Sequence, residues 1–164
     1  MMKKKIKIFN SPEEVGVRIL FILDVCGNRM SSQRIMYYDY FALHLNDIDD
    51  NYDSLHPDNP NHSSEIAVRR EKINQGLNLM ISKGLLNVKY SKTGIYYQKN
   101  QLTSSFIELF QNGYSDRLKQ NITIVDKLFR EYSDNKIYKY VNKNIGSWVG
   151  EFEKDTDFGG DINE

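Results

Sequence analysis

The sequence predicts a mainly α-helical protein of the α+β class, with a winged helix-turn-helix core and three C-terminal helices. Three capped apolar segments with helical periodicity come first. Two short β-rich segments around a glycine turn follow them directly, and this is the order of elements in a winged helix-turn-helix. The core is therefore assigned to residues 11–99.

The first helix has the clearest start in the chain. Ser11 is a capping residue, Pro12 fits the first helical position, and an acidic pair follows at the positive end of the helix dipole. The helix is expected to run to about Cys26 and to stop at Gly27. Its apolar residues point in nearly all directions, so we expect it to be buried on most sides, by its own domain or by a partner.

Two further helices are separated by a long polar segment. The helix "QRIMYYDYFALHL" follows the caps Ser31 and Ser32, and a third helix begins at Ser63 and ends at Gly84. Between them, "NDIDDNYDSLHPDNPNH" is too polar and too interrupted by proline for a helix or a central strand. Long ordered loops of this kind are often functional or hold a partner.

The hairpin is predicted in "LLNVKY", "SKTG" and "IYYQKN", with Gly94 in the turn.

The C-terminal part, residues 100–152, is predicted to be a helical extension of the core. Its three helices are placed at residues 103–112, 116–132 and 135–152, from apolar residues at helical spacing. No internal repeat and no second domain is visible, so residues 1–152 are expected to form a single domain. The acidic, glycine-bearing stretch 153–164 is expected to be a disordered tail.

Composition limits the class of protein. Lysine plus arginine and aspartate plus glutamate number 22 each, whereas an autonomous nucleic-acid binder normally carries a basic excess. The single cysteine, Cys26, cannot form an intramolecular disulfide, which fits a reducing compartment. The basic start "MMKKKIKIF" lacks the long apolar segment of a signal peptide or an anchor. We expect a cytoplasmic protein that does not contact the membrane.

No motif for catalysis, metal binding or nucleotide binding is found. The residues that could be imagined as a metal shell, none of them at metal-site spacing, are His44, Asp47, His56 and His62. The glycines are isolated and form no phosphate-binding loop, and no nucleophile elbow is present. We therefore expect neither enzyme activity nor a cofactor. An enzyme whose site assembles only in three dimensions is a remaining alternative.

Two charged residues are predicted to form a structural ion pair. Arg70 falls within the apolar stripe of the third helix, and Asp39 has the same anomalous position on the second. Unpaired charges would be costly there. We expect an Asp39–Arg70 pair that is shielded from water, with Arg18 of the first helix as the competing partner.

The outward face of the third helix and the hairpin supply candidates for DNA contact. In a winged helix that reads DNA, this face enters the major groove and the wing contacts phosphate. The candidates are Arg69, Lys72, Gln75 and Lys83 on the helix and Lys89 and Lys92 on the hairpin. Glu71 makes this surface only weakly basic, so a solvated face or a protein interface is the alternative.

Apolar and aromatic positions predict a protein interface, because a small domain has limited means of covering all of them. The candidate partner-binding residues are His56, Pro57 and Asp58 in the long loop, Leu79 on the third helix, and Trp148 and Phe152 near the end of the chain.

Several segments resemble the middle component of bacterial ABC-three-component conflict systems, a group that includes the small accessory subunit of Lamassu-type anti-phage defence. They are "FNSPEEVGVRILFIL", "YDYFALHLNDI", "SLHPDNPNHSSEIAVRREKINQGLNLMISKGL" and "GIYYQ". The resemblance covers residues 9 to about 152. It implies a non-catalytic subunit that joins an SMC-like ABC ATPase to an effector, often a nuclease, in a complex that senses foreign DNA.

A stand-alone winged-helix transcription regulator is the alternative function. A regulator should bind one DNA sequence by itself. An accessory subunit should bind DNA weakly, or only within its complex, with a shallow salt dependence because few phosphates are neutralised. Its gene should lie beside genes for a coiled-coil ATPase and an effector.

Overall fold

The computed structural model describes residues 11–56 and 62–148, and the side chains of residues 11–56 and 68–144. The helices are α1 (Pro12–Cys26), α2 (Ser32–Leu43), a 3-10 turn (Leu45–Asp47), α3 (His62–Ser82), α4 (Gln101–Ile107), α5 (Gly113–Phe129) and α6 (Asp134–Trp148). The strands are β1 (Leu86–Ser91) and β2 (Gly94–Lys99), paired as one antiparallel sheet. The predicted α+β class, with a hairpin after the third helix, is confirmed.

Local signals fix both ends of α1. The Ser11 hydroxyl accepts a hydrogen bond from the Glu14 N–H at 3.2 Å, and Pro12 occupies the first turn. Gly27 ends the helix with a φ of 73°, in the left-handed region that favours glycine. The predicted bounds of this helix are confirmed, and α2, α3, α4 and α5 all pack against it.

Two glycines set the distance between α1 and α3. A Cβ atom built on Gly76 would lie 3.0 Å from the backbone nitrogen of Gly16 and 3.2 Å from Cδ1 of Ile19. A side chain at Gly76 would therefore push the two helices apart. This close packing fixes which side of α3 faces α1.

The hairpin is tied to the connection between α1 and α2. The Met30 N–H donates to the Tyr97 carbonyl at 2.9 Å, and the Tyr97 N–H donates to the Met30 carbonyl at 2.8 Å. These two bonds form a single antiparallel bridge beside β2. At the end of β2, Lys99 binds the Asp24 carboxylate at 3.4 Å, and Ser104 of α4 binds it at 2.6 Å, which connects the hairpin and α4 to α1.

Helices α5 and α6 are held against α2. Arg34, in the first turn of α2, donates to the carbonyl oxygens of Phe129 and Tyr132, each at 2.7 Å. It also forms a 3.0 Å ion pair with Asp134 at the start of α6. The Phe129 ring stacks on Phe41 with centroids 5.3 Å apart. One arginine thus positions the turn between the last two helices.

Some boundaries differ from the predicted ones. The helix expected at 103–112 ends at Ile107, because the side chain of Asn112 caps the next helix and accepts a hydrogen bond from the Ser115 N–H at 2.8 Å. Helix α5 consequently begins at Gly113. The end of the helix predicted at 135–152, and the predicted tail, lie partly or wholly outside the described residues. None of the described helices combines the length and apolar character needed to cross a membrane.

Candidate interaction site

One buried carboxylate joins three helices. Asp39 on α2 is only 1 % exposed. Its Oδ1 accepts a hydrogen bond from Nε of Arg18 on α1 at 2.7 Å, and its Oδ2 accepts one from Nη1 of Arg69 on α3 at 2.5 Å. Both arginine side chains are buried as well. We call these three residues the charge cluster.

The predicted Asp39–Arg70 pair is wrong. Arg70 is exposed, and its neighbour Arg69 occupies the buried position. The reason is the helical phase of α3: the side that meets α1 is marked by Gly76, and Arg69 lies two turns before it on that side. Arg69 therefore also leaves the set of DNA-contact candidates. Arg18, the competing partner, does bind Asp39.

The ion pairs keep the cluster charged. Burial alone would raise the pKa of the Asp39 carboxyl, but attraction to Arg18 and Arg69 outweighs burial and lowers this pKa to about 2. Burial would lower the pKa of Arg18, and its contacts with Asp39 raise it above the ordinary value. Asp39 is therefore ionised near neutral pH, and its two ion pairs hold three helices together.

The long loop, residues 44–56 of the described chain, is built beside this cluster. The N–H groups of Leu55 and His56 both donate to the Leu43 carbonyl, at 3.0 and 3.1 Å. The loop thus returns to the end of α2, where it began. Leu55 packs against the core, so the loop has an apolar anchor on its inner side.

The outer surface of the loop is acidic. Asp49, Asp50 and Asp53 are exposed, and Tyr52 between them is 38 % exposed. Such a surface repels the phosphates of nucleic acid, which are bound by lysine and arginine. An exposed aromatic ring among carboxylates instead suits a protein partner that carries basic residues.

His56 fastens the loop to α5. Its Nε2 lies 2.9 Å from the phenolic oxygen of Tyr114. Burial lowers the pKa of His56 to about 4, and the positive charge of Arg18 acts in the same direction. The imidazole is therefore neutral at pH 7 and half-buried. Its predicted role as a partner-binding residue stays a prediction.

Acidification is expected to weaken the attachment of the loop. As pH falls from about 6.5 toward 4, the unfolded chain binds a proton at His56 that the folded chain excludes. The stability supplied by the neutral imidazole is then lost. Urea unfolding at several pH values measures this effect. The free energy of unfolding should fall more steeply for the wild type than for His56→Gln as pH decreases across this window. Equal slopes for the two proteins would contradict this expectation.

An apolar groove of about 630 Å³ lies next to the cluster. Helices α1, α3, α4 and α5 supply its walls. Its apolar lining residues are Val17, Phe21, Met80, Phe106, Phe110, Tyr114 and Leu118. Arg18 lines it too, so the groove and the charge cluster share one residue. We call this feature the α1–α5 groove.

Aromatic contacts give the groove its shape. Phe110 packs edge-to-face on Phe21, with ring centroids 6.2 Å apart, and on Phe106, with centroids 5.5 Å apart. The side chains of Glu13 and Glu14 at the start of α1 also belong to the lining. The result is a preformed apolar depression with carboxylates at one edge.

The other predicted site residues are spread over the molecule. Of the DNA-contact candidates, the exposed ones are Gln75, Lys83, Lys89 and Lys92, and Lys72 is half-buried. Lys83 lines the groove, whereas Lys89 and Lys92 belong to the hairpin. The structure does not bring these residues and the loop into one site.

The predicted apolar contacts have mixed outcomes. Leu79, a candidate partner-binding residue, is half-buried and packs against the core. Its role in partner binding stays a prediction. Pro57, Asp58 and Phe152 lie outside the described residues. Trp148 ends α6, but its side chain also falls outside the described part.

The sequence did not single out the groove. Phe106 and Phe110 both fall in the helix predicted at 103–112, and their spacing of four indicates a common face. Nothing in that spacing tells how much of the face another element covers. The groove appears only when four helices are placed together.

The family model described as ABC-three component (ABC-3C) system Middle Component 2 matches residues 8–151. The match spans the six α-helices and the hairpin of the described residues. Comparison with curated proteins gives no significant match, and comparison with solved structures gives none either. The resemblance to the middle components is thereby confirmed.

Proposed function

The chain belongs to the Middle Component 2 family of ABC-three-component systems, and we propose that it is a non-catalytic accessory subunit of an anti-phage defence complex of the Lamassu type. In this proposal it bridges an SMC-like ABC ATPase and an effector nuclease in the cytoplasm. A middle component of a multi-component system has partner components. The family match over residues 8–151 is the observation that carries the proposal.

Three buried or half-buried titratable groups among the described residues support a non-catalytic role. The Asp39 carboxylate accepts hydrogen bonds from two arginines, and His56 is neutral and bound to Tyr114. Cys26 is buried, and burial raises the pKa of its thiol. A buried thiol of this kind is a poor nucleophile. These three groups are engaged in contacts that hold the fold together, which supports the proposed non-catalytic role.

We assign residues 11–99 to a winged helix-turn-helix within a single domain that extends to residue 152. The succession of α1, α2, α3 and the β1–β2 hairpin supports this assignment. The Met30–Tyr97 bridge adds a short third strand position beside the hairpin. With zero net charge and an acidic loop after α2, we expect only weak DNA binding by the isolated subunit.

The test is assembly with the other two components of the system. Wild type should co-purify with both when all three are co-expressed. Reversing the loop charges with Asp49→Lys, Asp50→Lys and Asp53→Lys should reduce recovery, because the loop is expected to face a basic partner surface. A charge-reversed hairpin, Lys89→Glu with Lys92→Glu, is the matched control and should assemble normally.

Two outcomes would count against this proposal. If the folded loop variant assembles at full stoichiometry, the loop is not the contact. If the wild type joins neither component, the accessory-subunit function is wrong. Tight binding of one DNA sequence by the pure wild type would then favour the transcription regulator.

A further inference from the structure

The segment that contains the hairpin carries a basic excess. Residues 72–107 include five lysines and no arginine, aspartate or glutamate. Because the whole chain has no net charge, this excess is balanced by acidic residues elsewhere. Lys99 at the end of β2 is bound to Asp24. Lys89 and Lys92 are exposed, and within the described part of the chain neither forms an ion pair. They are therefore available to an anionic ligand.

Arg29 places a third cation against the hairpin. Its guanidinium carbon lies 4.6 Å from the centroid of the Tyr96 ring, which is a cation–π contact. The Tyr96 hydroxyl is 2.7 Å from Oγ1 of Thr93 in the turn, and this Oγ1 is 2.9 Å from the Ser91 hydroxyl. These contacts order the tip of the hairpin and hold Arg29 beside it.

The carboxylates near Arg29 are bound to other arginines. Asp126 and Asp134 line the same small hollow as Arg29. Asp126 is bound to Arg130 at 2.9 Å, and Asp134 is bound to Arg34 at 3.0 Å. The hollow thus holds three arginines and two carboxylates, and among the described residues Arg29 has no carboxylate partner. Its positive charge adds to that of the hairpin lysines.

Tyr90 gives this basic surface an uncovered aromatic ring. It is 80 % exposed, and Ile95, its partner across the hairpin, is 49 % exposed. Cations and this ring alternate at Lys89, Tyr90 and Lys92, as phosphates and bases alternate along a nucleic-acid strand. Proteins that bind single strands combine basic residues for the phosphates with aromatic rings on which bases stack. In a duplex the bases stack on each other, so they offer no face to Tyr90.

We infer that the β1–β2 hairpin, together with Arg29, binds single-stranded nucleic acid. A base stacks on the Tyr90 ring, and neighbouring phosphates contact Lys89, Lys92 and Arg29 as the strand crosses the tip of the hairpin. Three cations neutralise few phosphates, so binding by the isolated chain is weak and depends little on base sequence. The inference goes beyond the proposed function and does not rest on it, since the hairpin binds the strand whether or not the chain joins the other components.

Fluorescence anisotropy of the full chain with labelled oligo-dT, oligo-U and a duplex of the same length tests the inference. At low salt, at least one of the two single strands should bind about tenfold more tightly than the duplex, and the tighter of the two identifies DNA or RNA as the ligand. The logarithm of the association constant should fall against the logarithm of the salt concentration with a slope of about −2, since each of three cations contributes about 0.7. Equal affinity for the duplex, or no binding of either single strand, would overturn the inference.

Substitutions at Tyr90 test the stacking contact. Tyr90→Ala should weaken binding of the single strand about tenfold, because it removes the ring on which the base stacks. Tyr90→Phe keeps a flat ring at the same position and should bind like the wild type. A surface that attracts the strand by charge alone would not distinguish these two variants.

Substitutions at the lysines test the phosphate contacts. Lys89→Gln with Lys92→Gln leaves one of the three cations, so the salt slope should shrink to about −0.7. Lys139→Gln with Lys143→Gln makes the same change in charge at two exposed positions of α6. This matched control should keep the wild-type affinity and slope. Equal slopes for the two double variants would contradict the assignment of the lysines.

An acidic protein is the other class of ligand that the cations could attract. If polyglutamate competes as well as unlabelled oligo-dT at equal charge, or if Tyr90→Ala binds like the wild type, the inference is wrong and the hairpin is a surface for an acidic protein. These measurements use the pure chain, so their failure leaves the accessory-subunit function standing, and failure of the chain to assemble leaves the inference standing.

Discussion

Asp39→Asn is expected to lower the free energy of unfolding by about 3–5 kcal/mol. The substitution removes the charge that compensates Arg18 and Arg69, and it leaves two buried cations beside a neutral amide. Urea unfolding at pH 7, followed by circular dichroism, measures the loss. Asp53→Asn, at an exposed aspartate of the long loop, is the matched control and should change stability by less than about 0.5 kcal/mol.

A pair of arginine variants tests which residue of α3 belongs to the cluster. Arg69→Ala should cost about 1.5–3 kcal/mol, since it removes a charged hydrogen bond to Asp39. Arg70→Ala, one position further along at an exposed site, should be nearly neutral. The reverse order would mean that the helical phase of α3 is wrong.

The contribution of Asp39 to the free energy of unfolding should be present above its unfolded pKa of about 3.9 and be lost as pH falls through 2.

Gly76→Val is expected to destabilise the protein by about 1–3 kcal/mol through overpacking. The new Cβ would lie 3.0 Å from the backbone nitrogen of Gly16, and a backbone atom cannot rotate away. The α1–α3 distance would increase, and Arg69 would be drawn away from Asp39. Thermal or urea unfolding measures the loss.

Two other glycines provide controls for this prediction. A Cβ atom added at Gly113 would have no neighbour within 4 Å. Gly113→Ala should therefore be neutral or stabilise the protein by up to about 1 kcal/mol. Gly16→Ala contacts mainly the flexible end of Met80, which can move, so it should cost less than Gly76→Val. Equal stability of all three variants would show that the helices are not in close contact at Gly76.

The features that the sequence predicts correctly are local ones. Ser11, Pro12 and Gly27 act within one turn of the helix ends that they define, so the bounds of α1 follow from neighbouring residues alone. The hairpin is likewise fixed by its turn around Gly94 and by the strand-forming residues beside it. Family membership could also be recognised, because it rests on an ordered pattern along the chain.

Whether Arg69 or Arg70 is buried depends on a small difference in the rotational phase of α3. Both lie within reach of the apolar stripe, and a rotation of one residue decides which is buried. Gly76 holds the missing information, since it marks the side of α3 that approaches α1. The sequence alone does not show that Gly76 faces Gly16, so it does not indicate which side of α3 lies against α1.

The contacts of the candidate site are of longer range. His56 and Tyr114 are 58 positions apart in the sequence, and no periodicity relates a loop to the start of a distant helix. The groove needs side chains from α1, α3, α4 and α5 together. Which of these side chains are exposed depends on how the helices pack against one another, and a sequence pattern within one helix does not contain that information.

The most direct test of the central claim is native mass spectrometry of the tagged full-length chain, purified from cells that express all three components. We expect one species whose mass equals the chain plus both partner components in whole-number stoichiometry. The same species should be reduced about tenfold when the chain carries Asp49→Lys, Asp50→Lys and Asp53→Lys in the exposed loop. Recovery of the wild-type chain alone, without either component, would contradict its assignment as an accessory subunit.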